Sequence, residues 1–207
     1  MSRKKKTPPI IKTYVIIVDG ETEAWYFNMV KRNERQLRIN IKPELPSKKT
    51  ISQQYANIIE SASNNTKVFW VVDFDTILKE TRESKKGVVT PLQEFDKYYK
   101  KLKKNNPNVV IIINSPCLEF WYLLHFEESA KFYDNCKKAE RQLRKYLKDY
   151  EKTKKFFTKE NNDIYLRLKP YLKVALENSQ KLKEFDIEEP YRALAEMHLF
   201  FLDDKLY

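Results

Sequence analysis

Carboxylates at the ends of apolar runs are the residues best placed to do chemistry in this chain. Asp19, Glu21 and Glu23 follow the run in YVIIVDGETE, and Asp73 and Asp75 close VFWVVDFDT. A third run, VVIIINSPCLEFW, leads to Glu119. A buried-type segment that ends on a charge costs energy unless the charge is paired or binds something. Hard divalent cations seek such oxygens, and Mg2+ takes one or two carboxylates per ion and completes its octahedron with water and phosphate oxygens. Four or five convergent carboxylates suit two ions about 4 Å apart, which clamp the attacking and leaving oxygens of a phosphodiester. Without cations they would repel one another and some would protonate. The expected cofactor is Mg2+ or Mn2+, as two ions.

Spacing supports this reading. Asp73 and Asp75 are two apart, so on an extended chain both side chains point to one side. Glu23 lies four residues beyond Asp19, in the first turn of a predicted helix, and can point back to the strand end. Taken alone, Asp73 and Asp75 fit equally well a loop pair that caps the next helix. Glu119, three residues after Pro116, reads as a first-turn Glu favoured by the helix dipole or as a further ligand or orienting group. Asn114 and Ser115 could donate to a phosphate, or form a simple turn before Pro116. His125 reads as a packed core residue rather than a base. Zinc is disfavoured, because His125, His198, Cys117 and Cys136 show no ligand spacing. No motif for a Ser or Cys nucleophile is recognisable. The chain has only two glycines, Gly20 and Gly87, so neither Gly-rich phosphate loop can be built. Gly20 is expected to serve backbone geometry, a turn or a close approach at the strand end.

These groups need elements to position them. Residues 1–9 read as a disordered basic arm. Ile10 to Val18, Lys67 to Phe74 and Val109 to Ile113 read as buried strands, and Leu37 to Leu45 as a half-exposed one. Thr22 to Arg32, Ile51 to Ala62 and Leu92 to Lys104 read as helices, and Asp75 to Thr90 mostly as loop. After Pro116 helices are expected over Leu118 to Phe126, Lys137 to Tyr150, Ile164 to Lys181 and Pro190 to Leu202. The pattern predicts an α/β core over 10–126, a mostly parallel sheet flanked by helices, and a helical extension over 127–207 packed on it. In an open parallel sheet, ligands bind at the carboxyl ends of strands, where these acids fall.

Composition narrows the partners. The chain has 207 residues, of which 42% are hydrophobic, and a formal net charge of +11. That charge points to a polyanion such as DNA or RNA, although a lysine-rich solubilising surface gives the same total. From about 100° per residue, Lys137, Lys138, Arg141, Arg144, Lys145 and Lys148 share one helix face, opposite Ala139, Leu143, Tyr146, Leu147 and Tyr150. The basic face reads as a phosphate-backbone contact or a solvated surface, extended by Lys152, Lys154 and Lys155. Arg3 to Lys6 would add non-specific affinity. No apolar run approaches a membrane span of about 20 residues. The N-terminal apolar run ends in Asp-Gly-Glu without a cleavage site, and the two cysteines are too few for a disulfide framework. A cytoplasmic protein is expected.

VDGETEAWYF, VVDFDT and NSPCLEFWYLLHF resemble, in order, the strand–EGE–TE–x–x–YF, D-x-D and SNPxFExWxLLHF segments of the RloB-like branch of the Toprim fold. That branch is related to the Toprim nucleases of the OLD family and to the AbiL phage-defence system. YEKTKKFF, NSQKLKEF and EEPYRALAEM resemble its helical tail. The resemblance implies a Toprim-like, Rossmann-like core and a nuclease role in prokaryotic anti-phage defence, with a separate AAA-type ATPase as partner. It carries metal ligation to Glu23, Asp73, Asp75 and Glu119, and to Lys152 the basic position of the family's Y-x-K, within reach of a scissile phosphate. The chain departs at Asp19, where the family has Glu, one methylene longer. The alternative is therefore an inactive nucleic-acid-binding or ATPase-regulating subunit. Phosphoryl or nucleotidyl transfer, as in Toprim primases, is a third and weaker expectation.

Overall fold

Runs as apolar as these can only sit in the middle of a sheet covered on both faces, and that is where they lie. The structure, a computed structural model, describes residues 14–18, 20–34, 43–44 and 50–203. In chain order the elements are β1 (Tyr14–Ile17), α1 (Glu21–Asn33), β2 (Pro43–Glu44), α2 (Ile51–Asn64), β3 (Lys67–Asp73), α3 (Phe74–Glu83), α4 (Pro91–Asn105), β4 (Val109–Ser115) and α5 (Leu118–Leu123). Then follow α6 (Cys136–Leu143), α7 (Lys154–Phe157), α8 (Ile164–Leu168), a 3-10 turn (Lys169–Tyr171), α9 (Leu172–Gln180), β5 (Leu194–Ala195) and α10 (His198–Phe201). The sheet order is β2-β1-β3-β4-β5. β2, β1, β3 and β4 run parallel, and β5 is antiparallel to β4. The fold is α/β with a mostly parallel sheet flanked by helices, as expected.

Alternation along the strands divides the core. Tyr14, Ile16, Val18, Phe69, Val71 and Ile112 face one apolar cluster with α1, α5 and the helices that follow. Val15, Ile17, Val68, Trp70, Val72, Ile111 and Ile113 face another, with α2, α3 and α4. β1, β3 and β4 are buried on both faces, so their sequences read as continuous apolar runs. α2 and α4 open with capping boxes, Thr50 with Gln53 and Thr90 with Gln93.

Several local expectations are corrected. Residues 75–90 were expected to be mostly loop, but Phe74, Ile77 and Leu78 bury one face of α3. Three apolar residues are a thin stripe among charges, too weak for periodicity to declare. α6 ends at Leu143 rather than Tyr150, and the chain continues in turns that still bury Leu147 and Tyr150. The helix expected over 164–181 is interrupted at the 3-10 turn, where Pro170 cannot donate to the helical ladder. Residues 190–202 form no single helix: β5 joins the sheet and only α10 is helical. The C-terminal part therefore completes the sheet edge as well as packing on it. Of the strand expected over 37–45, Pro43–Glu44 forms β2. The rest, and the basic arm with Arg3 to Lys6, lie outside the described residues. No helix of the described residues is long and apolar enough to cross a membrane.

His125 is a core residue. It is buried, its ring meets Trp121 edge-on, and Nδ1 lies 3.0 Å from the Trp121 carbonyl oxygen. Since a carbonyl only accepts, Nδ1 must carry the proton. Burial pulls its pKa down to about 4, against the opposing backbone contacts with Trp121 and Tyr122. A folded-state pKa below the unfolded value of about 6.5 favours the neutral ring. This contribution is complete above about pH 6.5 and is lost as the pH falls towards 4. Urea unfolding at pH 7 and pH 4.5 should show wild type losing roughly 2 kcal/mol more than His125→Phe. Equal losses in the two proteins would show that the ring does not govern acid sensitivity.

Candidate functional site

The strand order changes direction between β1 and β3: α1 carries the chain from β1 outward to β2, while β3 lies on the other side. The carboxyl ends of these two strands form the crevice where open α/β sheets gather ligands. β1 leads into the Asp19–Gly20 segment and β3 ends on Asp73. Asp19 itself lies outside the described residues. Glu23 is buried in the first turn of α1, and its Oε1 accepts from the Thr22 hydroxyl at 3.0 Å, whereas Glu21 is exposed. Gly20 has extended backbone, φ −144°, which any residue adopts. Its purpose is clearance: a Cβ there would come within 2.6 Å of Glu23 Oε2. A side chain at this position would push the Glu23 carboxylate away. Gly87, by contrast, is needed for its φ of +86°.

Asp73 and Asp75 do not alternate along one strand. β3 stops at Asp73 and α3 starts at Phe74, so Asp75 belongs to the first helical turn. Asp73 holds the N-cap position of α3 without a side-chain capping bond. Instead its Oδ1 accepts from the Leu118 N–H at 3.1 Å. Asp75 Oδ2 accepts from the Cys136 N–H at 3.1 Å, and the Asp75 N–H donates to Pro116 O at 3.1 Å. The pair thus pins the starts of α5 and α6 to the end of β3. Burial raises the Asp75 pKa; the Cys136 N–H, the Lys152 charge and the Thr76 N–H oppose this, and the Glu119 charge adds to it.

Glu119 is 1% exposed. Its Oε1 receives the Tyr150 hydroxyl at 2.6 Å and the Lys152 ammonium at 2.6 Å. Its Oε2 lies 2.9 Å from both Cys117 Sγ and Cys136 Sγ. The two cysteines are joined in a disulfide, whose sulfurs carry no proton to donate. A carboxylate so engaged is more than a first-turn Glu answering a helix dipole. The Lys152 side chain is 38% exposed, and its Nζ also reaches Cys136 Sγ at 3.3 Å. Partial burial lowers the Lys152 pKa, but the charge and hydrogen bond of Glu119, then Asp73 and Glu140, outweigh it and leave the pKa raised.

The structure brings together less of the acid set than the sequence anticipates. Among the described residues, the potential ligand atoms that all lie within 4.8 Å of one another belong to Cys117, Glu119 and Cys136. Glu23, Asp73 and Asp75 border the same crevice without forming so tight a group. Their link is electrostatic: Lys152 feels Asp73, Asp75 feels Glu119 and Lys152, and Tyr150 feels Glu119 and Glu23. Asn114 and Ser115 are buried at the end of β4, with Asn114 opposite Asp73 in the ladder. The Asn114 amide and the Ser115 hydroxyl have no hydrogen-bond partner among the described residues. They are thus neither an exposed turn nor a surface open to phosphate.

The basic face is solvent-exposed at Lys137, Lys138, Arg141, Arg144, Lys145 and Lys148, while Ala139, Leu143, Leu147 and Tyr150 are buried beneath. Tyr146 departs from the expected apolar face. It is exposed, stacks on Phe126 and donates to Glu127 Oε2 at 2.6 Å. Lys138 pairs with Asp134 at 2.7 Å and Arg144 with Glu140 at 2.8 Å. Among the described residues, Lys137, Arg141, Lys145 and Lys148 form no ion pair. The helix carrying this face begins at Cys136, so the positive surface adjoins the crevice.

Sequence reasoning missed Cys117, Cys136 and Tyr150. The cysteines stand 19 residues apart, a spacing that announces nothing. Tyr150 was assigned to the packed face, though its place two residues before Lys152 was a usable signal. The family described as RloB-like protein matches residues 14–200. No curated protein and no solved structure matches the chain.

Lys152→Met should leave a buried carboxylate without its cation and cost roughly 3 kcal/mol at pH 7. Adding Glu119→Gln should recover part of that loss in urea denaturation. If the two substitutions simply add, the Lys152–Glu119 pair is not the coupled unit described above.

Proposed function

The chain belongs to the RloB-like family, and from that premise we propose that it is a Mg2+- or Mn2+-dependent nuclease cleaving phosphodiester bonds of DNA or RNA. The observation that carries this reading is the placement of Glu23, Asp73 and Asp75 beside the carboxyl ends of β1 and β3, where burial raises the Asp75 pKa. A divalent cation there would offset the cost of burying that charge. The donor set suits a hard ion, since Glu23, Asp73 and Asp75 offer only oxygen. These three, with Asp19, would hold the cofactor, and Glu119 would complete or orient the set. Bound there, the ions would activate water and neutralise charge on the phosphate.

The chain's own residues set the rest of the site. The Leu118 and Cys136 N–H groups fix the Asp73 and Asp75 carboxylates. Lys152, steadied by Glu119 and partly exposed, can meet a phosphate oxygen and stabilise its developing charge. Lys137, Arg141, Lys145 and Lys148 would hold the nucleic-acid backbone without reading bases. A role in prokaryotic anti-phage defence, beside an AAA-type ATPase, is supported by the resemblance to the RloB-like branch and its Toprim relatives. A separate ATPase also suits a chain with too few glycines for a phosphate loop.

A second reading has its own support. Asp19 stands where the family has Glu, and Glu119 Oε1 is already engaged by Tyr150 and Lys152. On that reading the chain binds nucleic acid or regulates the ATPase without cutting.

Incubation with plasmid, single-stranded DNA and RNA in Mg2+ or Mn2+ tests the two readings. Wild type should cleave at least one substrate, and Asp73→Asn with Asp75→Asn should lose at least a hundredfold in rate. Absence of metal-dependent cleavage, with and without the ATPase, would leave only the second reading. Replacing Lys137, Arg141, Lys145 and Lys148 by Ala should weaken binding and flatten the dependence of log K on log salt by about 3.6 units for duplex DNA. An unchanged slope would exclude this face as the backbone contact.

A further inference from the structure

Glu119 Oε2 is a buried oxygen aimed at two sulfur atoms, each 2.9 Å away. In the disulfide neither sulfur carries hydrogen, so a carboxylate oxygen faces only lone pairs on that side. Such an arrangement calls for a proton or a cation between the three atoms. The other oxygen is already anchored by the Tyr150 hydroxyl and the Lys152 ammonium, each at 2.6 Å. Anchoring of this kind is what orients ligating carboxylates in metal sites.

We propose that, with the disulfide reduced, Cys117, Cys136 and Glu119 form a site for one thiophilic divalent cation of the zinc class. The site goes beyond the nuclease reading and does not depend on it. Sulfur ligands disfavour Mg2+ and Mn2+ and select softer ions. Zinc bonds sulfur at about 2.3 Å, so two sulfurs on one tetrahedral ion stand roughly 3.8 Å apart. The Cα atoms of Cys117 and Cys136 are 5.7 Å apart, so side-chain rotation can provide that separation while the backbone stays in place. Three protein ligands leave a fourth position open to water. The charges also match: two thiolates and one carboxylate balance the ion and the Lys152 ammonium.

The steps balance. A dithiol reductant gives two electrons and two protons to the disulfide, leaving two protein thiols and becoming a disulfide itself. The cation then displaces both thiol protons, which pass to solvent. Cys136 is only partly buried and lies beside the half-exposed Lys152, so reductant and ion can enter from that side. Two electrons passed back to a small-molecule disulfide, with two protons from solvent, would remake the Cys117–Cys136 bond, leave a dithiol and release the ion.

The experiment uses the full chain, reduced with a phosphine and desalted without air. Zn2+ is titrated against a chromophoric chelator, and Co2+ is followed by absorption. Reduced wild type should take up one equivalent, with a thiolate-to-cobalt charge-transfer band, and the oxidised protein should take up none at this site. Cys117→Ser and Cys136→Ser should each lose the band, and Glu119→Gln should weaken binding at least tenfold. Reduced wild type lacking the thiolate band would overturn the proposal without any need for a variant. Equal Zn2+ uptake by oxidised and reduced wild type would overturn it as well.

Discussion

Burying a carboxylate to 1% exposure is costly unless partners inside the protein meet its charge. For Glu119 the charge is met by Lys152 and Tyr150 at 2.6 Å. Glu119 enters from the start of α5, directly after β4, whereas Tyr150 and Lys152 come from the turns beyond α6. One ion pair therefore joins the sheet's exit to the helical segment that covers it. Removing one partner of such a pair costs about 3–5 kcal/mol, because the other charge is left bare. The disulfide closes the same junction covalently, between the residue before α5 and the first residue of α6.

Around that junction the aspartates of β3 and α3 are structural before they are chemical. Asp73 holds the Leu118 N–H, Asp75 holds the Cys136 N–H, and Pro116 O accepts from the Asp75 backbone. Groups proposed to bind a cation are thus also the groups that fix where α5 and α6 begin. An ion pulling on these carboxylates would pull on those loops, and a change in the loops would alter the ion's ligands. Such coupling is reciprocal by thermodynamic necessity. It gives the crevice a physical link to the basic face, which starts on α6.

What could be read from the sequence follows the range of the physics involved. β1, β3 and β4 were legible because burial on both faces leaves an uninterrupted apolar run. α2 and α4 were legible as helices, while their capping boxes came only with the structure. α3 was not, because Phe74, Ile77 and Leu78 are outnumbered by charges, and its position changes why Asp73 and Asp75 are neighbours. Gly20 was expected to serve a turn or a close approach, and the structure gives the second, clearance for the Glu23 carboxylate. The Cys117–Cys136 pairing and the Tyr150–Glu119 bond join distant segments, and no local pattern encodes them. Asn114 and Ser115 were placed correctly at a strand end, but whether they were buried or open depended on what packs over β4.

Glu119 is where the resemblance and the geometry pull apart. The resemblance makes it a metal ligand beside Glu23, Asp73 and Asp75. In the structure its two oxygens are divided: one faces a cation of the protein and a hydroxyl, the other faces sulfur. A hard ion competing for Oε1 would have to displace Lys152, and one at Oε2 would meet two sulfurs that it binds poorly. Under the nuclease reading, Glu119 therefore acts by holding Lys152 at the edge of the crevice, close enough to Asp73 for their charges to interact. That makes it a positioning residue and leaves direct ligation of the hard ion to the carboxylates that follow β1 and β3.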